Sequence, residues 1–211
     1  MISDLNDYIE AHISREPEYL KKIDRDSNLY YLNGRMCSGH VQGRLLKMLV
    51  AMIRPKRVLE LGTFTGYSAL CVAEALENDA IIDTIEIDDE LEDFIREHLC
   101  ESPYNDNIHL HIGDALEIID TLEDDFDLVF IDANKRHYLD YYHKVLPRVK
   151  SGGYIIADNT IWYEKVTEEN SRHDAQTEGI IAFNNYIATD DRVEKVIVPV
   201  RDGLTIIYKK P

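Results

Sequence analysis

Residues 58–68 read Val-Leu-Glu-Leu-Gly-Thr-Phe-Thr-Gly-Tyr-Ser. A short β-rich run passes into a tight turn holding Gly62 and Gly66, and a helical pattern starts at Tyr67. Glycines in such a turn let the backbone approach a ligand closely. In doubly wound sheets, ligands bind beside turns of this kind, at the carboxyl ends of the strands. The spacing is G-x-x-x-G rather than the G-x-G-x-x-G that cradles a dinucleotide pyrophosphate, so the turn suits a ligand with no phosphates to hold.

Outward from this turn the chain alternates strand and helix. Further strands are expected at Ile81–Glu86, Ile108–Ile112, Leu128–Asp132 and Tyr154–Ala157, after the first at Arg57–Leu61. Helices are expected near Tyr67–Leu76, Glu90–Leu99, Ala115–Leu122 and Tyr138–Val149. Alternation of this length implies an α/β fold, a doubly wound and mostly parallel sheet with right-handed crossovers. Strands apolar on both faces, such as Leu128 to Ile131, fit a sheet covered on both sides. Arg192–Val200 and Leu204–Lys209 depart from the rhythm, because Asp202-Gly203 between them is a hairpin signal that makes one strand antiparallel.

Upstream, two short helices about Glu16-Pro17, with Ser14 as a cap, lead into a longer one over about His40–Met52. There Val41, Leu45, Met48, Leu49 and Met52 recur at helical spacing. Residues 1–55 thus form an N-terminal helical cap, and with no repeat or linker composition in sight the 211 residues are expected to make one domain.

Forty acidic against 23 basic residues give a net charge of -17. That balance disfavours nonspecific binding to phosphate backbones or anionic lipid. No stretch is long and apolar enough for a membrane span, and residues 1–18 lack a signal-peptide core. Cys37, Cys71 and Cys100 are scattered, without a CxxC pair, and read as packing residues of a cytoplasmic protein.

Four further strand ends carry the chemistry. Glu86 ends its strand 20 residues after Gly66, about where an acid holds ribose hydroxyls in nucleoside-binding sheets. Gly113-Asp114-Ala115 follows along the same rim, beside an adenine edge. The most specific pair is Phe130-Ile131-Asp132-Ala133-Asn134-Lys135 with Ala157-Asp158-Asn159. Asp132, Asp158 and Asn159 converge as hard oxygen ligands suited to Mg²⁺, Mn²⁺ or Ca²⁺. His109 and His111 share a strand face but read as structural residues, and a His173-Asp174 dyad has no further support.

In this order and spacing, VLELGTFTGYSAL, the strand ending at Glu86, GDAL, DLVFIDANK, GGYIIADN and DGLTIIYKK resemble the cation-dependent class I S-adenosylmethionine O-methyltransferases. These include catechol and caffeoyl-CoA O-methyltransferases and many small bacterial members. The similarity runs from about Met36 to Lys210 and is greater to the bacterial and caffeoyl-CoA branch. It implies a seven-stranded sheet with the last strand antiparallel, and a homodimer. It implies that Met36, Ser38, Glu60, Gly62, Tyr67 and Ser68 line the methionine end of the cofactor, Glu86 the ribose, and Asp114 and Ala115 the adenine, with Asp132 also contributing. Asp132, Asp158 and Asn159 would hold the metal, and Lys135 would be the general base. Trp162, Tyr163 and Lys165 would form a substrate lid.

The activity so implied is methylation of one hydroxyl of a vicinal dihydroxy aromatic small molecule. Methylation of a hydroxylated uridine in tRNA is a second reading, opposed by the acidic charge. A nucleoside-binding protein without catalysis is a third, opposed by the presence of Lys135 with the three oxygen ligands.

Overall fold

The computed structural model describes residues 4–32, 34–123, 125–168 and 174–211, so His173 of the dyad considered above lies outside the described residues. Three helices come first: α1 (Leu5–His12), α2 (Glu18–Tyr30) and α3 (Gly39–Ile53). The alternating part follows as β1 (Arg57–Leu61), α4 (Tyr67–Ala73), β2 (Ile81–Glu86), α5 (Glu92–Cys100), β3 (Ile108–Ile112) and α6 (Ala115–Ile118). Then come β4 (Phe126–Ile131), α7 (Tyr138–Val145), β5 (Val149–Ala157), α8 (Ala175–Thr189), β6 (Val193–Val198) and β7 (Leu204–Lys209).

The seven strands form one sheet in the order β3-β2-β1-β4-β5-β7-β6. The first five pair in parallel, and β7 runs antiparallel to both β5 and β6. The expected architecture is therefore the observed one. Strand order reverses between β1 and β4, the switch point where open α/β sheets leave a crevice.

Side chains alternate between the two faces, as the two-residue strand period requires. Val58, Ile82, Leu128, Phe130 and Ile156 pack against Leu20, Ile23, Leu46, Val50, Leu70 and Ile95 from α2 to α5. Leu59, Leu61, Ile85, Val129, Ile131 and Ile155 pack against Tyr142, Ile180 and Phe183 from α7 and α8. His109 and His111 do share a face, and both reach the buried Asp83, at 3.5 and 2.8 Å, which also takes Arg57 at 2.8 Å.

Several local expectations are corrected. Ser14 caps nothing: Asp4 caps α1 through the Asp7 N–H at 2.9 Å, and Pro17 precedes α2 without a side-chain cap. α7 stops at Val145, because Pro147 sits in a short 3-10 turn, and β5 begins at Val149, well before Tyr154. α8 occupies residues that carried no element in the sequence reading, and Asp174 caps it by accepting the N–H groups of Gln176 and Thr177. Cys37 and Cys71 are buried as expected, but Cys100, at the end of α5, is exposed.

The largest correction concerns α3. Of its expected apolar face, Leu45 and Leu49 pack half-buried against the core, but Met48 and Met52 are 65% and 71% exposed. The buried stripe instead runs through Gln42, Leu46 and Val50, with Gly43 beside it. A Cβ on Gly43 would stand 2.8 Å from Cys71 Sγ and 2.9 Å from the Tyr67 ring, so the missing side chain is what lets α3 lie against α4.

Gly62 is under a stricter demand. It has φ +93°, and a Cβ there would lie 2.2 Å from the Asp132 carbonyl oxygen. Backbone at the β1 and β4 ends can approach this closely only without a side chain. Gly62→Ala is expected to cost about 2–4 kcal/mol, lowering the thermal midpoint by roughly 5–15 °C. An unfolding scan of the variant that overlays the native one would contradict this.

Candidate active site

The ends of the parallel strands are latched to one another by backbone hydrogen bonds. Gly113 N–H donates to Glu86 O at 2.7 Å, Gly62 N–H to Ile85 O, Asp132 N–H to Leu61 O and Asp158 N–H to Ile131 O, the last three at 2.9 Å. The ladder thus continues one residue past each strand. It delivers Gly62, Asp132 and Asp158 side by side at the rim of a cleft of about 970 Å³.

Of the expected site residues, Met36, Ser38, Gly62, Tyr67, Ser68, Glu86, Asp114, Ala115, Asp132, Lys135, Asp158, Asn159, Trp162 and Tyr163 all line this cleft. Two do not. Lys165 sits in a 3-10 turn with its ammonium 3.2 Å from Asp174, so it is removed from the lid. Glu60 lies fully buried on β1, beneath the floor rather than on it.

Glu86 is held from three sides. Its Oε2 accepts the Phe64 N–H at 2.6 Å, and its Oε1 accepts those of Ile87 and Asp88 at 3.0 Å each. Burial nevertheless raises its carboxyl above the ordinary value. Asp114 spends one oxygen capping α6 through the Leu116 N–H at 2.8 Å.

Asp158 is almost without solvent contact. Its Oδ1 accepts the Asn159 N–H at 2.8 Å and its Oδ2 accepts the Gln42 side-chain amide at 2.6 Å. Its carboxyl is pushed up to about 6, first by burial and then by the charge of Asp132. Lys135 brings its ammonium to 2.6 Å from Asp132 Oδ1 and 5.0 Å from the centre of the Tyr138 ring. The Tyr138 hydroxyl donates to the carbonyls of Asp158 and Ile131, at 2.9 and 3.2 Å, fixing the β4 and β5 ends together. Asn159 takes φ +56°, a left-handed conformation that Asn tolerates better than most residues.

Among the described residues no group of three His, Cys, Asp or Glu is arranged to hold a metal ion. The donors at hand are two carboxylates and one carboxamide oxygen. This hard set fits Mg²⁺, Mn²⁺ or Ca²⁺ and not zinc. Crowding two acids where burial already opposes ionisation fits a cation as well.

The family profile described as O-methyltransferase matches residues 10–210. Caffeoyl-CoA O-methyltransferase 1 of Zea mays is 34% identical over 206 residues, covering 91% of this chain and 78% of that protein. The tapetum-specific methyltransferase 1 of Arabidopsis thaliana is 34% identical over 201 residues, covering 91% and 86%. Among solved structures, the O-methyltransferase TomG of Streptomyces achromogenes, in complex with SAM, superposes with a TM-score of 0.89 at 28% identity, covering 97% of this chain and 95% of that one. The SAH-bound Podospora anserina methyltransferase PaMTH1 gives 0.89 at 26%, covering 98% and 94%.

The chain belongs to the O-methyltransferase family.

Two residues of this O-methyltransferase escaped the sequence reading although they touch the cleft residues. Gln42 stands on the buried stripe of α3, and a polar side chain at a core position is itself a functional signal. It was hidden because the apolar pattern pointed to the neighbouring face. Arg201, from the β6–β7 turn, donates to the carbonyls of Cys37 and Ser38 and to Gln42 Oε1. No local pattern marks it, since its partners lie more than 150 residues away.

Below the floor, Glu60 accepts the Thr84 hydroxyl, while its Oε1 has no hydrogen-bond partner. Burial, with smaller contributions from the charges of Asp132 and Glu86, pushes its carboxyl up from an ordinary 4.5 to about 7. The folded state therefore holds this proton more tightly than the unfolded state does. Stability from this group is full below about pH 4.5 and falls as pH rises toward 7. Glu60→Gln should remove that loss. The variant is expected to gain up to about 3 kcal/mol over the native protein at pH 8 and little at pH 5, measured by denaturant unfolding at both. An equal difference at the two pH values would contradict the assignment.

Proposed function

We propose that this O-methyltransferase moves the methyl group of S-adenosylmethionine to one hydroxyl of a small vicinal dihydroxy aromatic acceptor, with a divalent cation in the site. The observation that carries the reading is the meeting of Asp132, Asp158, Asn159 and Lys135 beside the Gly62 turn. Caffeoyl-CoA relatives and structural neighbours with bound SAM or SAH support it.

When bound, the sulfonium supplies an electrophilic methyl carbon and the cation supplies acidification and orientation of the acceptor hydroxyl. The residues divide the remaining work. Glu86, anchored by three backbone N–H groups, keeps lone pairs for the ribose hydroxyls. Met36, Ser38, Gly62, Tyr67 and Ser68 shape the methionine end, and Asp114 and Ala115 flank the base. Asp132, Asp158 and Asn159 hold the cation. Lys135, as the neutral amine, takes the acceptor proton at Nζ, and the ammonium so formed is the one that pairs with Asp132 Oδ1 at 2.6 Å.

Trp162 and Tyr163 line the cleft next to Asn159 and form the wall of the acceptor side in this reading. They reach it through three successive left-handed residues, Trp162, Tyr163 and Glu164, at φ +51°, +54° and +61°. Each such residue costs about 1–2 kcal/mol, offset here by Asp202, which accepts the N–H groups of Ile161 and Tyr163 at 2.8 and 2.5 Å.

Turnover on a catechol, read as S-adenosylhomocysteine formed, should stop in excess EDTA and return with Mg²⁺ or Mn²⁺. Full activity in chelator would defeat the cation's part in the reading. A matched monophenol offers one oxygen where the catechol offers two, so it gains less acidification and less orientation. Its kcat/KM should be lower by roughly two to four orders of magnitude. Equal rates for the pair would show that selectivity does not come from chelation.

A further inference from the structure

The turn between β6 and β7 contributes no cation ligand, yet it touches both covers of the cleft. On one side, Arg201 donates to the Cys37 carbonyl at 3.2 Å, to the Ser38 carbonyl, and more weakly to Gln42 Oε1 at 3.4 Å. On the other side, Gly203 O accepts the Thr160 N–H at 3.0 Å, and Asp202 accepts those of Ile161 and Tyr163. Arg201 itself sits at φ +50° and Gly203 at φ +91°, so the turn has a backbone shape that only specific residues sustain. A Cβ on Gly203 would lie 2.4 Å from Ile161 Cγ1, which shows how closely the turn and the post-β5 segment are pressed together.

Gln42 is the link inward. It is 1% exposed, on the first turn of α3, and its amide Nε2 donates to Asp158 Oδ2 at 2.6 Å. A Gln in that place is an unusual choice for a helix core unless its two ends are both used. Here one end is given to Asp158 and the other faces Arg201. A chain of contacts therefore runs from the C-terminal hairpin through α3 to the carboxylate of β5, with a branch to the Ser38 wall.

We propose that Gln42 and Arg201 are positioning residues: Gln42 fixes the Asp158 carboxylate in the orientation that receives the divalent cation, and Arg201 holds Gln42 and the Cys37–Ser38 wall in register with it. The proposal rests on the reading of Asp132, Asp158 and Asn159 as the cation site. Without the Gln42 donor, Asp158 keeps only the Asn159 N–H and its Oδ2 is free to rotate away from the shared focus. Outer partners of metal-ligating carboxylates commonly contribute 10–100-fold in affinity. The branch gives the two residues different signatures. Gln42 acts on the cation side alone, whereas Arg201 acts on the cation side and on the methionine side through Ser38.

The test is direct Mn²⁺ binding, read as loss of the free-ion EPR signal, with S-adenosylhomocysteine affinity measured separately by calorimetry. Gln42→Met keeps the length of the side chain and removes the donor. It should weaken Mn²⁺ by about 10–100-fold while S-adenosylhomocysteine binding stays within about threefold of native. Arg201→Met should weaken both ligands, and Arg201→Lys, which keeps a cationic donor, should recover part of each loss. Should Gln42→Met fail to fold, the Arg201 pair tests the same chain of contacts from its outer end. Native protein that takes up Mn²⁺ while Gln42→Met or Arg201→Met takes it up equally well would overturn the positioning role alone. Native protein that takes up no Mn²⁺ would overturn the cation site and the positioning role together.

Discussion

Two carboxylates are placed side by side in the protein interior by the backbone itself. The Asp132 N–H is committed to Leu61 O and the Asp158 N–H to Ile131 O, each at 2.9 Å, so the parallel ladder leaves neither residue free to move apart. Burial and mutual charge then raise the Asp158 carboxyl to about 6. Much of the surrounding structure offsets this crowding. Lys135 brings a positive charge to Asp132, Gln42 and the Asn159 N–H give Asp158 two donors, and Tyr138 binds the two strand ends through their carbonyls. None of these groups removes the surplus of negative charge, which is the physical reason a dication suits the place.

The same constraint explains why glycine stands at residue 62. The ends of β1 and β4 must come together for the ladder to extend to Asp132, and the Asp132 carbonyl occupies the space a Cβ would need. Conformation, close approach and carboxylate placement are thus one requirement met at one residue. The N-terminal helices answer it from the other side. Gly43 lets α3 sit against α4, and that depth is what allows Gln42 to span from the helix to Asp158.

The parallel alternation and the final hairpin were legible because strand ends are marked locally, by Gly62, Glu86, Gly113, Asp132 and Asp158 after apolar runs, whereas the order of the strands in the sheet carries no such local mark. Those marks also made most of the candidate site legible, since the sheet gathers strand ends at one rim. What local pattern missed has a common cause. In α3 the apolar repeat through Val41, Leu45, Met48, Leu49 and Met52 outweighed the fully buried stripe, in which the polar Gln42 replaces an apolar residue. The resemblance implies Lys165 in the lid with Trp162 and Tyr163, but after three successive left-handed residues its ammonium lies 3.2 Å from Asp174. α8 went unread because its start is signalled by a single Asp cap in a polar stretch. Arg201 has no local signal at all, and its role exists only once the hairpin is folded against α3.

Charge in this protein carries a different meaning at the site than over the whole chain. Glu60, Glu86 and Asp158 all have their carboxyls raised, with burial the leading cause in each. An acidic surface spreads its charges in water, where they interact weakly, whereas these three stand where the field is little screened. Such a pocket favours ligands carrying positive charge, which a sulfonium, an amino group and a divalent cation all do. Attraction for a sulfonium in the ground state would by itself slow its loss of charge on transfer. The acids therefore serve the proposed reaction only if they act on parts of the cofactor that keep their charge or polarity throughout. The proposed division assigns them so: Glu86 to the end expected to hold ribose, Glu60 under the floor, and Asp132 and Asp158 to the place proposed for the cation.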